Sequence, residues 1–251
     1  VAGGPRTAVL RVISNDPDES PFDVTLTGNG LLPTPDISIE QPAGTSLSSG
    51  AAQITFGTVP IQTGISDRTF TLKNTGSAVL TDISLSIAGT NPAAYHVLVP
   101  PAASIAVGGS TTFTLRFAPE TSGELTAIAR VFSNDPDENP FDVFLYGVGM
   151  VTPNLALEQP AGTVLTHGVS TVAFGTTEVG RTVIDRTFTV RNSGTGPLTG
   201  LTLSFTGAHP NDFQIPVPLP PSIPAGTDAL FVVRFAPTYG GSRSATLSLA
   251  S

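Results

Sequence analysis

Two almost identical stretches, SNDPDESPFDV (Ser14–Val24) and SNDPDENPFDV (Ser133–Val143), lie 119 positions apart in a chain of 251 residues. Self-similarity of this kind constrains the fold before any other motif does, because each copy must form the same structural unit. The stretch itself reads as punctuation. Asn, Asp and Pro favour tight turns, and an alternating apolar and polar run lies on each side.

Other pairs hold an offset of 118: EQPAG at Glu40–Gly44 and Glu158–Gly162, DRTFT at Asp67–Thr71 and Asp185–Thr189, and RFAP at Arg116–Pro119 and Arg234–Pro237. The one-residue difference falls in the linkers, LLPTP (Leu31–Pro35) against MVTP (Met150–Pro153). Residues 1–33 therefore read as the C-terminal strands of a preceding repeat, 34–151 as a complete repeat, and 152–251 as a third lacking its last strand. The chain opens inside a repeat, so its native start is expected upstream.

Within residues 34–151 the pattern predicts eight short strands: Ile37–Gln41, Gln53–Phe56, Arg68–Asn74, Asp82–Ile87, Tyr95–Val99, Thr111–Phe117, Thr126–Phe132 and Phe141–Tyr146. Asn74-Thr75-Gly76 reads as a turn. Phe113, Leu115 and Phe117 point inward, as do Ala127, Ala129 and Val131. The same parity assigns Ala8, Leu10 and Val12, and Ala245, Leu247 and Leu249, to the core; a slip of one residue would turn each set outward. Alternating strands with turn signals every 8–12 residues or so indicate an immunoglobulin-like sandwich. The expected fold class is all-β, tandem immunoglobulin-like β-sandwich repeats of about 118 residues, with almost no helix because no apolar run keeps a 3.6-residue period.

Charge narrows the function. The net charge is −8 with a single lysine, Lys73, and no basic run. A nucleic-acid partner held by counterion release is not expected, nor is an anionic lipid surface. No apolar stretch suggests membrane insertion. With no cysteine, disulfides and thiolate metal sites are excluded. No G-x-S-x-G elbow, HExxH or phosphate-cradling glycine loop occurs, so the chain is read as not an enzyme and as needing no cofactor apart from a candidate calcium ion.

The ordered set IEQPAG/LEQPAG, ITFGTVPIQTG/VAFGTTEVG, DRTFTLKNTG/DRTFTVRNSG, FTLRFAP/FVVRFAP and SNDPDENPFDVFLYGVG resembles the choice-of-anchor D repeat, within the ASPM–SPD-2–Hydin-like group of immunoglobulin modules. The resemblance implies a seven- or eight-stranded sandwich in a secreted or surface protein of bacteria, where such repeats serve as stalks and arrays. It brings no catalytic residues.

Three candidate sites follow. Asp135, Asp137, Glu138 and Asp142, echoed by Asp16, Asp18, Glu19 and Asp23, offer hard oxygen ligands at close spacing for Ca²⁺; the alternative is a solvated turn whose Asn and Asp bond their own backbone. Phe144 and Tyr146 point outward on the last strand and mark a candidate contact surface. Phe22, Val24 and Leu26 form a strand with no domain before it, and the third repeat lacks the counterpart of Phe141–Tyr146. Either the polypeptide continues past Ser251, or subunits join head to tail by strand addition. His96, His167 and His209 are scattered and read as surface residues. Arg68 and Arg186, each following Asp67 and Asp185, read as surface ion pairs or strand-end anchors.

The expected role is a structural extracellular spacer, stalk or fibre subunit, stiffened by its proline linkers, with neighbouring repeats or identical subunits as partners. A glycan- or protein-binding adhesin and an accessory domain of a secreted hydrolase are the rivals.

Overall fold

A computed structural model describes residues 3–251. Among the described residues the chain is all-β: eighteen strands and two single-turn 3₁₀ segments, Pro92–Ala94 and Pro210–Asp212. It forms two compact units. The first comprises residues up to Gly57 with Ser66–Phe117 and Leu125–Gly147; the second comprises Thr58–Ile65, Ala118–Glu124 and Val148 onward.

The strands in chain order begin with the hairpin β1 (Gly4–Val12) and β2 (Phe22–Gly30). Then come β3 (Ile37–Glu40), β4 (Gln53–Pro60), β5 (Ser66–Asn74), β6 (Ser84–Ala88), β7 (Tyr95–Val99), β8 (Ser110–Phe117), β9 (Gly123–Phe132) and β10 (Phe141–Met150). β3–β5–β8–β7 make one sheet and β4–β10–β9–β6 the other. Their facing sides bury Phe70, Phe113, Phe117, Leu115, Val131 and Phe141, none more than 1% exposed. This is the two-layer immunoglobulin-like sandwich, with alternate residues of each strand in the core.

Aromatic packing repeats in both units. Phe70 stacks on Phe113 at 4.7 Å, and Phe188 on Phe231 at 5.1 Å. Phe56, Tyr95 and Phe117 form a triad, matched by Phe174, Phe213 and Phe235. The Tyr95 hydroxyl donates to the Leu125 carbonyl at 2.8 Å, a bond Phe213 cannot make.

Three of the predicted strand ends move. Gly57 lies inside β4 with φ +81° instead of ending it, so the strand bends through the glycine and runs on to Pro60. β10 continues past Tyr146 to Met150. It does so because Gly147 lets the backbone lie against the Phe117 ring, whose atoms would stand 2.6 Å from any Cβ placed there. β6 starts later than expected because Asp82 takes a left-handed φ of +57°.

The second unit contains β11 (Leu155–Glu158), β12 (Ile184–Asn192), β13 (Leu198–Thr199), β14 (Thr202–Thr206), β15 (Phe213–Val217), β16 (Ser222–Ile223), β17 (Asp228–Phe235) and β18 (Thr246–Ala250). β11–β12–β17–β15 form a four-stranded sheet, while β14 pairs only with β18. Residues 171–178, at the positions of β4, keep a strand's alternation of exposure but pair with no strand. Leu247 and Leu249 are consequently half-buried where Ala129 and Val131 are fully covered. In the hairpin the inward parity fails outright: Leu10 and Val12 are exposed, since no second sheet covers them.

Candidate functional site

Three local arrangements carry the candidate residues, and the first is the acidic turn between β9 and β10. Asp135 is buried, and both its oxygens are engaged. Oδ2 accepts from the Ile37 N–H at 2.7 Å; Oδ1 accepts from the Asp137 and Glu138 N–H groups at 3.1 and 3.3 Å. Burial alone would raise its carboxyl, but these donors outweigh it and hold Asp135 below the ordinary range. The neighbours go the other way. Asp137 is raised by hydrogen bonding and repulsion from Asp135. Glu138 is raised by burial, then by the charges of Asp135 and Asp36.

The ligand set differs from the one expected. Oxygens of Asp36, Asp135 and Glu138 lie within 4.8 Å of one another. Asp36 lies between the linker and β3 and gave no signal in the sequence beyond a lone carboxylate after proline. Asp142 is not in this group: it stands 3.4 Å from Arg130, and its N–H donates to Ser49 Oγ at 3.1 Å. Since Ile37 opens β3, the chief office of Asp135 is to tie that strand to the β9–β10 turn.

The second arrangement is the set of internal ties that both units share. Asn74 Nδ2 donates to the Ala78 and Ile105 carbonyls, and Asn192 Nδ2 to those of Gly196 and Ile223. Their Oδ1 atoms accept from the Gly76 and Gly194 N–H groups. Glu40 holds the Gly44 N–H and Lys73; Glu158 holds the Gly162 N–H and Arg191. Asp67 and Asp185 do not pair with the arginines that follow them. Each forms a two-pronged ion pair across the sheet, with Arg116 and Arg234 respectively, because adjacent strand residues face opposite sides. Arg68 instead donates to the Thr55 and Asp67 carbonyls and lies over the Phe56 ring. His96 and His167 are exposed, whereas His209 is half-buried and accepts from the Ser244 N–H through Nδ1. Asn91 Oδ1 takes the equivalent bond from Thr126 in the first unit. A tie found only in the second unit joins Asp212 to the N–H and hydroxyl of Thr238, with Arg243 at 3.6 Å.

The third arrangement is the apolar strand faces. Phe144 is exposed and walls a shallow depression with Ala51, Gln53 and Thr126; Tyr146, on the same outward face of β10, is half-buried. Phe22, Val24 and Leu26 are 52, 38 and 49% exposed, against 1% for Phe141, Val143 and Leu145 at the same positions of β10.

No protein-family model and no curated protein matches the chain. Solved structures similar to it include the ASH/PapD-like domain 7 of human CEP192, at 16% identity and a TM-score of 0.33, covering 45% of this chain and 84% of that one. The secreted serine protease VesC of Vibrio cholerae is similar at 13% identity and a TM-score of 0.30; the shared region covers 78% of this chain and 48% of VesC. A protein of unknown function from Porphyromonas gingivalis W83 is similar at 17% identity and a TM-score of 0.26, covering 71% and 79%.

Proposed function

We propose that this chain is a stretch of a structural array of choice-of-anchor D type, working outside the cell as a spacer or stalk. The observation that carries the reading is the equivalence of the two units at the level of single hydrogen bonds. Asn74 and Asn192, Glu40 and Glu158, the Asp67–Arg116 and Asp185–Arg234 pairs, and the two ring triads do the same work 118 positions apart. Each of these groups is spent on holding its own unit together. Such residues bear load; they do not gather around a reacting atom. On this reading the protein is not an enzyme, and its partners are neighbouring repeats.

Stretching single molecules tests the mechanical role. Two separate unfolding events are expected, each releasing roughly one repeat of chain, about 3.3–3.6 Å per residue. A single cooperative rupture would overturn the array reading. Surface labelling of intact producing cells tests the location: protection of the chain from an impermeant reagent would overturn the extracellular assignment.

A second reading rests on one loop. Tyr239 is exposed beside Arg243, whose guanidinium lies 5.9 Å from its ring centre. The aligned position in the first unit is Thr121, so an adhesive function would sit on the second unit. A glycan array that binds the wild type but not Tyr239→Ala would favour it.

A further inference from the structure

The two units differ along one sheet edge. β7 closes the four-stranded sheet β3–β5–β8–β7 and β15 closes β11–β12–β17–β15; among the described residues neither has a strand on its outer side. An open edge presents backbone N–H and C=O groups that another extended chain can take up. The two edges share one register. Tyr95 and His96 face Phe117 and Arg116 as Phe213 and Gln214 face Phe235 and Arg234, and Val99 faces Thr114 as Val217 faces Val232. Between those pairs each strand slips by one residue, a β-bulge. In β7 the slip leaves Leu98 without a partner on β8.

At the position of Leu98 the second unit has Pro216. Proline has no N–H to give, and it is one of the devices that keep sheet edges from pairing. The inner ladder keeps its register with the proline in place, so the amide at this position is not what holds the edge strand to its sheet. Leu98 thus keeps a donor that the fold does not require and that the second unit lacks. Apolar side chains surround it: Val97, Leu98 and Val99 are 37, 45 and 47% exposed. The edge also carries no free charge. With histidine neutral, the sole ionised side chain between Ile83 and Pro119 is Arg116, and Asp67 holds it with two bonds. Copies of a chain with net charge −8 repel one another, and least where acids are absent. An uncharged edge gives an ionic partner nothing to hold. It is complementary to itself, because in an antiparallel pair about a two-fold axis each residue offers the donor and the acceptor that its counterpart needs.

We propose that β7 of one copy pairs antiparallel with β7 of a second copy, about an axis at Leu98. Leu98 then exchanges both N–H···O bonds with Leu98 of the other copy, and Val97 of each strand faces Val99 of the other. Two four-stranded sheets become one continuous sheet. The contact is isologous and closes at two copies, while Pro216 keeps the edge of the second unit out of it. A strand of five residues a side makes a small interface, so the association is weak and depends on concentration. This goes beyond the spacer reading and does not depend on it: it gives the chain a lateral contact that belongs to one of its two units.

Sedimentation equilibrium of the full chain over a concentration series tests the contact. The mass should rise from 25.7 kDa toward twice that value and level off there. Leu98→Pro introduces the residue that the second unit already carries at the same register; it should remove the rise and leave the circular dichroism unchanged. Leu98→Lys keeps the N–H but sets like charges face to face on the axis, and it should remove the rise as well. The lysine variant decides the matter should the proline variant disturb the fold. Pro216→Leu opens the second edge and should carry the mass past two copies. A monomer at every concentration, a rise that survives either well-folded Leu98 variant, or a Pro216→Leu chain that stops at two copies would each overturn the inference.

Discussion

Replacing Asn74 or Asn192 by alanine strands two buried carbonyls and a glycine N–H, because each amide spans its turn with 1% exposure or less. The expected loss is about 2–3 kcal/mol for either, read as a fall in the denaturant midpoint of the unit concerned. His209→Asn should keep the bond to Ser244, since the first unit already uses Asn91 there; His209→Ala should cost about 1 kcal/mol. In the acidic turn the two pH slopes oppose one another. Asp135 sits below its ordinary value, so its contribution is present above that value and fades as the pH falls through the folded one. Glu138 sits above its ordinary value, so ionising it weakens the fold as the pH rises. Glu138→Gln should therefore raise the melting temperature at neutral pH and change nothing once the pH is low enough to protonate the carboxyl in both states. These side chains were half legible in the sequence. Asn74-Thr75-Gly76 is visibly a turn, but nothing in the string says that the amide is buried. Asp36 is a lone acid beside proline, and only folding brings it to Asp135.

At the scale of strands, parity was readable and length was not. Alternation placed Phe113, Leu115 and Phe117 inward, and all three are buried. Glycine misled, because the same residue ends strands and lets them pass close to other groups. Gly57 and Gly147 look alike as letters; one bends β4 and the other clears the Phe117 ring. Gly147→Ala should force that ring aside at a cost of about 1–3 kcal/mol, measurable by chemical denaturation. Of the two roles open to Arg68, ion pair or strand-end anchor, its bonds to the Thr55 and Asp67 carbonyls fit the second. Neighbours in a strand point apart, and the partner of Asp67 lies across the sheet at Arg116, 49 positions away. Both ends of that pair are about one-third exposed, so breaking it should cost at most about 1 kcal/mol.

The whole molecule holds two versions of one design. The repeat period announced both in the sequence, and the resemblance of their turns and rings follows from it. What the period did not announce is that residues 171–178, at the positions of β4, pair with no strand. Hydrogen exchange should find the amides of β14 and β18 opening well before those of β6 and β9, because a two-stranded ribbon is marginal without lateral support. Equal protection of the two strand pairs would contradict the two-stranded pairing of β14 with β18.

The Tyr95 hydroxyl gives the first unit an optical signature of its own. Burial pushes this phenol above its usual range, and the chain has no tryptophan to mask it. An alkaline titration followed in the ultraviolet should thus keep Tyr95 neutral for as long as the Phe56–Tyr95–Phe117 triad survives. Its late ionisation then becomes a clock for the loss of that unit alone, blind to what happens around Phe213.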